Sequence, residues 1–231
     1  MGWGGTLLSF GAPAIALYVT ARIAVPSVTQ SLGLPPVVWF LTFSAFYVLG
    51  PLAVIALLRL RGESLEDVAV WRERLRFRPL GAQDWRLIGI ALATTVPVSA
   101  TIYFVLTVLG VRDITPSFLA NSGEQALAPN DLLLAWLVFG VVSIAAQEVL
   151  WRGVYLPRQE QLLRAHGWWA NATGWTLFHL VLGWKLVLVL APMIVAVPFI
   201  AQKRGSSMAG AAFHALVYAV ALATAFMVTR R

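Results

Sequence analysis

Apolar residues run through the chain in long blocks separated by short basic segments, not in the alternating or one-sided stripes of a water-soluble domain. A membrane helix needs about 20 mostly apolar residues. By that rule seven spans are predicted, at roughly Gly5 to Val25, Leu34 to Leu58, Trp85 to Gly110, Leu132 to Trp151, Trp168 to Trp184, Leu186 to Ala201 and Ser207 to Val228. The fifth and sixth are short and only Lys185 parts them. Pro97 is expected to kink the third span, and Pro192 and Pro198 the sixth. Between the second and third spans, Ser64 and Asp67 resemble a helix start. After them Val68, Val70, Trp71 and Leu75 mix with Arg72, Glu73, Arg74 and Arg76, so a short amphipathic helix on the membrane surface is expected there. The predicted fold is therefore all-α: a polytopic bundle of about seven transmembrane helices plus one interfacial helix. It forms a single integral membrane domain over residues 1–231.

Composition agrees. The 231 residues are 59% hydrophobic and 12% charged, where soluble domains are about 25% charged. There is no Cys, which excludes disulfides, Cys-ligated metal and thiol chemistry. The net charge of +7 comes from short loops without a nucleic-acid motif, so no nucleic-acid partner is expected. With a cytoplasmic N-terminus, twelve of the 17 basic residues fall on the inner side, including Arg72, Arg74, Arg76, Arg78, Lys203 and Arg204. This bias predicts the N-terminus inside and the C-terminus outside, with the basic loops against anionic headgroups. Most Trp residues lie near span ends, as an aromatic belt requires; Trp175 alone sits inside a span. The N-terminal Met1-Gly2 pattern and the Asn171-Ala172-Thr173 acceptor triplet are read as chance matches to acylation and glycosylation signals. The segment before the first span lacks the basic region of a signal peptide.

Ionisable groups inside spans are costly and mark functional sites. Glu148 and Arg152 lie four apart, on one face of the fourth span, with Gln147 about 100° round the helix. His179 follows Trp175 by one turn in the fifth span, and His214 precedes Tyr218 by one turn in the seventh. Each taken alone is compatible with a satisfied core residue. Three polar stations on three spans suggest one cavity, where a carboxylate or amide, two imidazoles and a phenol could activate water and stabilise an oxyanion. Glu148, His179 and His214 could also ligate a metal, but no spacing requires one, and neither a metal nor a cofactor is expected.

These residues form an ordered trio. Gln147-Glu148-Val149-Leu150-Trp151-Arg152-Gly153, Trp175-Thr176-Leu177-Phe178-His179 and His214-Ala215-Leu216-Val217-Tyr218 resemble the three motifs of the CAAX protease and bacteriocin-processing family. Those motifs read Glu-Glu-x-x-x-Arg, Phe-x-x-x-His and His-x-x-x-Asn. The likeness covers about residues 130–225. It implies an all-helical membrane bundle with a cavity open to the cytoplasmic side, and a glutamate-dependent intramembrane endopeptidase. By position it implies Gln147 in the place of the general base with His179 as its partner. His214 and Tyr218 take the oxyanion places, and Glu148 and Arg152 support the site beside the Trp175 wall. The substrate implied is a membrane-anchored peptide in a bacterial cytoplasmic membrane. Gln147 departs most, since an amide cannot take a proton from water. Three readings fit it: Glu148 does the work on a rotated or bent helix; the chain is a non-catalytic relative that binds and regulates a membrane partner; or Gln replaces a natural Glu to trap substrate. Substrate identity and oligomeric state are not written in the sequence.

Overall fold

The computed structural model describes residues 1–32, 47, 50, 52, 55–56, 58–60, 62–64, 66–111 and 129–229, and every regular element among them is helical. The chain opens with α1 (Trp3–Val19), which widens into a π-helical turn at Thr20–Ala24 and continues as α2 (Val25–Leu32). Helix α3 (Ala82–Val108) follows. Then comes α4 (Pro129–Gln147), which passes without a break through a π-helical stretch, Glu148–Tyr155, into α5 (Leu156–Leu163). The last three helices are α6 (Gly167–His179), α7 (Trp184–Arg204) and α8 (Ser207–Thr229).

Five helical stretches among the described residues are long and apolar enough to cross a membrane: Trp3–Ser27, Ala82–Val108, Trp136–Leu182, Trp184–Arg204 and Ser207–Thr224. They match the first, third, sixth and seventh predicted spans, with the fourth and fifth joined in the run Trp136–Leu182. That run turns at Arg164, whose φ of 50° is left-handed. The second predicted span, Leu34 to Leu58, lies almost wholly outside the described residues. Pro97, Pro192 and Pro198 sit within helices that continue past them.

The expected interfacial helix is shorter than the pattern suggested. Ser64 Oγ accepts from the Glu66 N–H and Asp67 Oδ1 from the Ala69 N–H, so both side chains cap turns two residues on and no capping box forms. The helical segment covers only residues 68–74, of which Val70–Arg74 is π-helical. Leu75 behind it is buried against Gly153, and its carbonyl would lie 3.3 Å from a Cβ at that glycine. The segment thus docks on the bundle as well as facing outward.

One end of the bundle is tied by polar contacts. The N-terminal ammonium donates to the Arg158 carbonyl. Asp84, in the first turn of α3, is 1% exposed; it binds Arg78 at 2.9 Å and Arg204 at 2.6 Å and accepts from the Gly81 N–H. Arg76 pairs with Glu160, and its carbonyl accepts from the Ser207 N–H. Gly205 takes the left-handed conformation that ends α7 and lets α8 begin two residues later. The starts of α1, α3, α6 and α8 and the end of α7 therefore share this basic end. Asp84→Asn should remove the charge that anchors both arginines. We expect a loss of about 1.5–3 kcal/mol, the scale of a charged hydrogen bond, read as a lower thermal midpoint in detergent. An unchanged midpoint would show that the clamp does not stabilise the bundle.

Candidate active site

The site begins where α4 changes pitch. From Glu148 the helix widens to i→i+5 bonding, and the Leu156 N–H closes the stretch on the Trp151 carbonyl. Such π segments often occur at functional sites because the extra residue per turn re-aims side chains. The Trp151 carbonyl also accepts from Asn171 Nδ2 at 3.0 Å. Asn171 Nδ2 in turn reaches Gln159 Oε1 at 2.8 Å, and Gln159 Nε2 donates to Thr6 Oγ1 at 2.9 Å. All three side chains are fully buried. A polar chain from α1 thus holds the widened turn in place. Asn171, Gln159 and Thr6 were not singled out from the sequence as site residues. The available signal was that Asn171, Trp175 and His179 recur every four residues and so share one face of α6.

Glu148 and Arg152 are both fully buried, and the Arg152 guanidinium is 3.4 Å from Glu148 Oε1. The same carboxylate oxygen accepts from His214 Nδ1 at 2.9 Å, across from α8. With Glu148 as a carboxylate this bond calls for a hydrogen on Nδ1 of His214, and in the neutral ring Nε2 then carries the lone pair. Glu148 Oε2 lies 3.2 Å from where a Cβ at Gly210 would sit, so any side chain there would press on the carboxylate, and a glycine suits the close approach of α8. The Arg152 nitrogens make no hydrogen bond among the described residues. The cation instead lies 3.8 Å over the Trp175 ring, a cation–π contact in a site closed to solvent.

Trp175 is the hub of the site. The His179 and His214 rings stand edge-on to it, with centroids at 5.0 and 5.1 Å. Its indole N–H donates to Gln147 Oε1 at 2.7 Å. His179 Nδ1 lies 2.9 Å from the Trp175 carbonyl, which can only accept, so this ring too carries its hydrogen on Nδ1 and presents Nε2 as an acceptor. Gln147 lines a cavity of about 350 Å³ between α1 and α4; Ala12, Pro13, Ala16, Leu150, Trp151 and Phe178 are among its other walls.

Six of the seven sequence-derived site residues therefore come together: Gln147, Glu148, Arg152, Trp175, His179 and His214. Tyr218 does not join them. Its ring lies where a Cβ at Gly140 would fall, 2.2 Å from Cε1, and its hydroxyl donates to the Trp136 carbonyl at 2.5 Å. Trp136 is eleven residues before Gln147, about 16 Å along a helix. A tyrosine is too long to stop where an asparagine amide would, so it reaches past the site into the gap left by Gly140. Nor do His, Asp, Glu or Cys side chains among the described residues gather in threes as a metal site requires.

A buried carboxylate and two imidazoles meet around Trp175 inside an apolar helix bundle, beside a largely apolar cavity that Gln147 lines. The family model for Rce1-like type II CAAX prenyl endopeptidases matches residues 129–220, which carry all three motifs. That is the family of membrane proteases which the motif trio resembles. No curated protein and no solved structure matches the chain.

Proposed function

We propose that this chain is an intramembrane endopeptidase of the CAAX type, hydrolysing a peptide bond in a membrane-anchored substrate near the cytoplasmic face. The observation that carries this reading is the buried Glu148–His214 contact. It joins a carboxylate on one motif to an imidazole on another, within the segment that matches the protease family. We place the basic end of the bundle in the cytoplasm by the positive-inside bias, with seven spans and the C-terminus outside. His214, seven residues into α8, then lies about 10 Å from that end.

The roles follow from the hydrogen positions. Glu148 holds the Nδ1–H of His214 and stabilises the imidazolium that forms when Nε2 takes a proton from water, the part a carboxylate plays for histidine in hydrolase triads. His179 Nε2 accepts the other hydrogen of that water and orients it. The water oxygen attacks the peptide carbonyl, and His214 returns its proton to the leaving nitrogen as the C–N bond breaks. No covalent enzyme intermediate and no metal enters the scheme. The pairing differs from the one that family position implies, where His179 would partner the base. Here the Gln147 amide cannot take a proton, and the carboxylate within reach belongs to Glu148.

The test uses the full chain in anionic lipid vesicles with a fluorogenic peptide anchored by a C-terminal S-farnesyl cysteine motif. A myristoylated peptide of the same sequence is run alongside. We expect release of the terminal fragment, incorporation of ¹⁸O from labelled water into the new carboxylate, and no effect of a chelator. Tight binding of both peptides without cleavage would replace this reading with that of a non-catalytic binding protein. Loss of activity to the chelator with recovery on adding zinc would overturn the metal-free scheme.

A further inference from the structure

We propose that Gln147 is a catalytic hydrogen-bond donor, aimed by Trp175: its amide N–H binds the carbonyl oxygen of the scissile bond and stabilises the oxyanion that forms there. The inference rests on the hydrolase reading above and assigns Gln147 a part opposite to that of the carboxylate in the family motif.

A glutamine amide has one acceptor end and one donor end of nearly the same shape. Here chemistry distinguishes them. An indole N–H can only donate, so the atom 2.7 Å from Trp175 Nε1 must be the oxygen. The NH₂ group is thereby turned away from Trp175. Gln147 also lines the 350 Å³ cavity, whose walls are otherwise largely apolar. A peptide segment entering that space would therefore meet an oriented amide donor. Trp175 is well placed to hold the orientation. It is fully buried, covered by Arg152 and packed edge-on with Trp151 at 6.0 Å.

Two of the three departures from the family motifs, those at 147 and 175, then form a matched pair. A phenylalanine at 175 has no N–H, so an amide at 147 would be free to flip and present its oxygen to the substrate. A glutamate at 147 would accept from Trp175 with one oxygen and set the other against the developing oxyanion. Gln147 with Trp175 gives a fixed donor; neither single reversion does. The donor forms and releases a hydrogen bond without transferring its proton, so the proton balance of the hydrolysis is unchanged.

The experiment compares the unaltered chain with Gln147→Glu, Gln147→Met and Trp175→Phe on the farnesylated reporter. It also measures binding of a peptide analogue in which a difluoroketone, hydrated to a tetrahedral centre, replaces the scissile amide. Gln147→Glu and Gln147→Met should each lower kcat by about 10²–10³-fold, the usual effect of removing one oxyanion donor, with KM nearly unchanged. Affinity for the analogue should fall by a similar factor. Trp175→Phe should lower kcat by roughly tenfold with the same split, since the amide survives but loses its aim. The methionine variant keeps the side-chain length without adding a buried charge, so it separates loss of the donor from misfolding. Undiminished cleavage by Gln147→Glu or Gln147→Met would overturn the donor role and leave the hydrolase reading standing. An inactive chain revived by Gln147→Glu would show Gln147 to be a missing base, also against the donor. Absence of cleavage by every form, with no binding of the analogue, would remove both readings together.

Discussion

Glu148→Gln should lower cleavage of the anchored reporter by about 10³–10⁴-fold, the scale seen when the carboxylate behind a catalytic histidine becomes an amide. The geometry explains the size. Glu148 Oε1 fixes the His214 ring at 2.9 Å and is the anion facing the fully buried Arg152. An amide could offer its NH₂ to His214 Nδ1, which would move the ring hydrogen to Nε2 and leave no lone pair for water. It would also leave the Arg152 charge without its counterion. Breaking a buried pair by removing one partner costs about 3–5 kcal/mol, so the same variant should be clearly less stable. The two effects separate in the double variant Glu148→Gln, Arg152→Met. With the stranded cation gone, the thermal midpoint should return toward that of the unaltered chain while cleavage stays absent. If activity returned together with stability, Glu148 would be a structural counterion for Arg152 and not the partner of His214.

How much of this was legible beforehand depends on the range of each contact. The spans were readable because long apolar runs need no partner to identify them, and the i, i+4 pairs Glu148–Arg152 and Trp175–His179 because one helix turn brings them together whatever else happens. The Glu148–His214 bond was not readable, since it crosses 66 residues and depends on how α4 and α8 pack at Gly210. The π-helical stretch was hidden for another reason. One extra residue per turn barely disturbs an apolar pattern that surrounds the whole helix, yet it decides which way Glu148 and Gln147 point. Asn171, part of a glycosylation triplet in the sequence, proves to hold the Trp151 carbonyl, which accepts the bond that closes that stretch. Tyr218 was misplaced because motif spacing fixes where its Cα lies but not where a longer side chain ends; the space left by Gly140 determines that.

The pairing of Glu148 with His214, and not with His179, has a consequence that single substitutions cannot reveal. His179→Ala should lower kcat by about 10²–10⁴-fold, the usual contribution of a positioned acid–base group. His214→Ala should fall at the upper end of that range. Residues that act as one unit are non-additive, so Glu148→Gln combined with His214→Ala should be about as slow as either change alone. His179 is held by the Trp175 carbonyl and not by Glu148, and its task of orienting the water is distinct. Its loss should therefore still slow the reaction in the Glu148→Gln background, by a factor approaching its effect alone, until the uncatalysed rate is reached. The cycle is read from kcat of the four forms of each pair at saturating reporter. Near-complete non-additivity of Glu148 with His179, and additivity with His214, would reverse the assignment: the carboxylate would then act through His179, as family position implies, and the 2.9 Å contact with His214 would be a resting arrangement that substrate breaks.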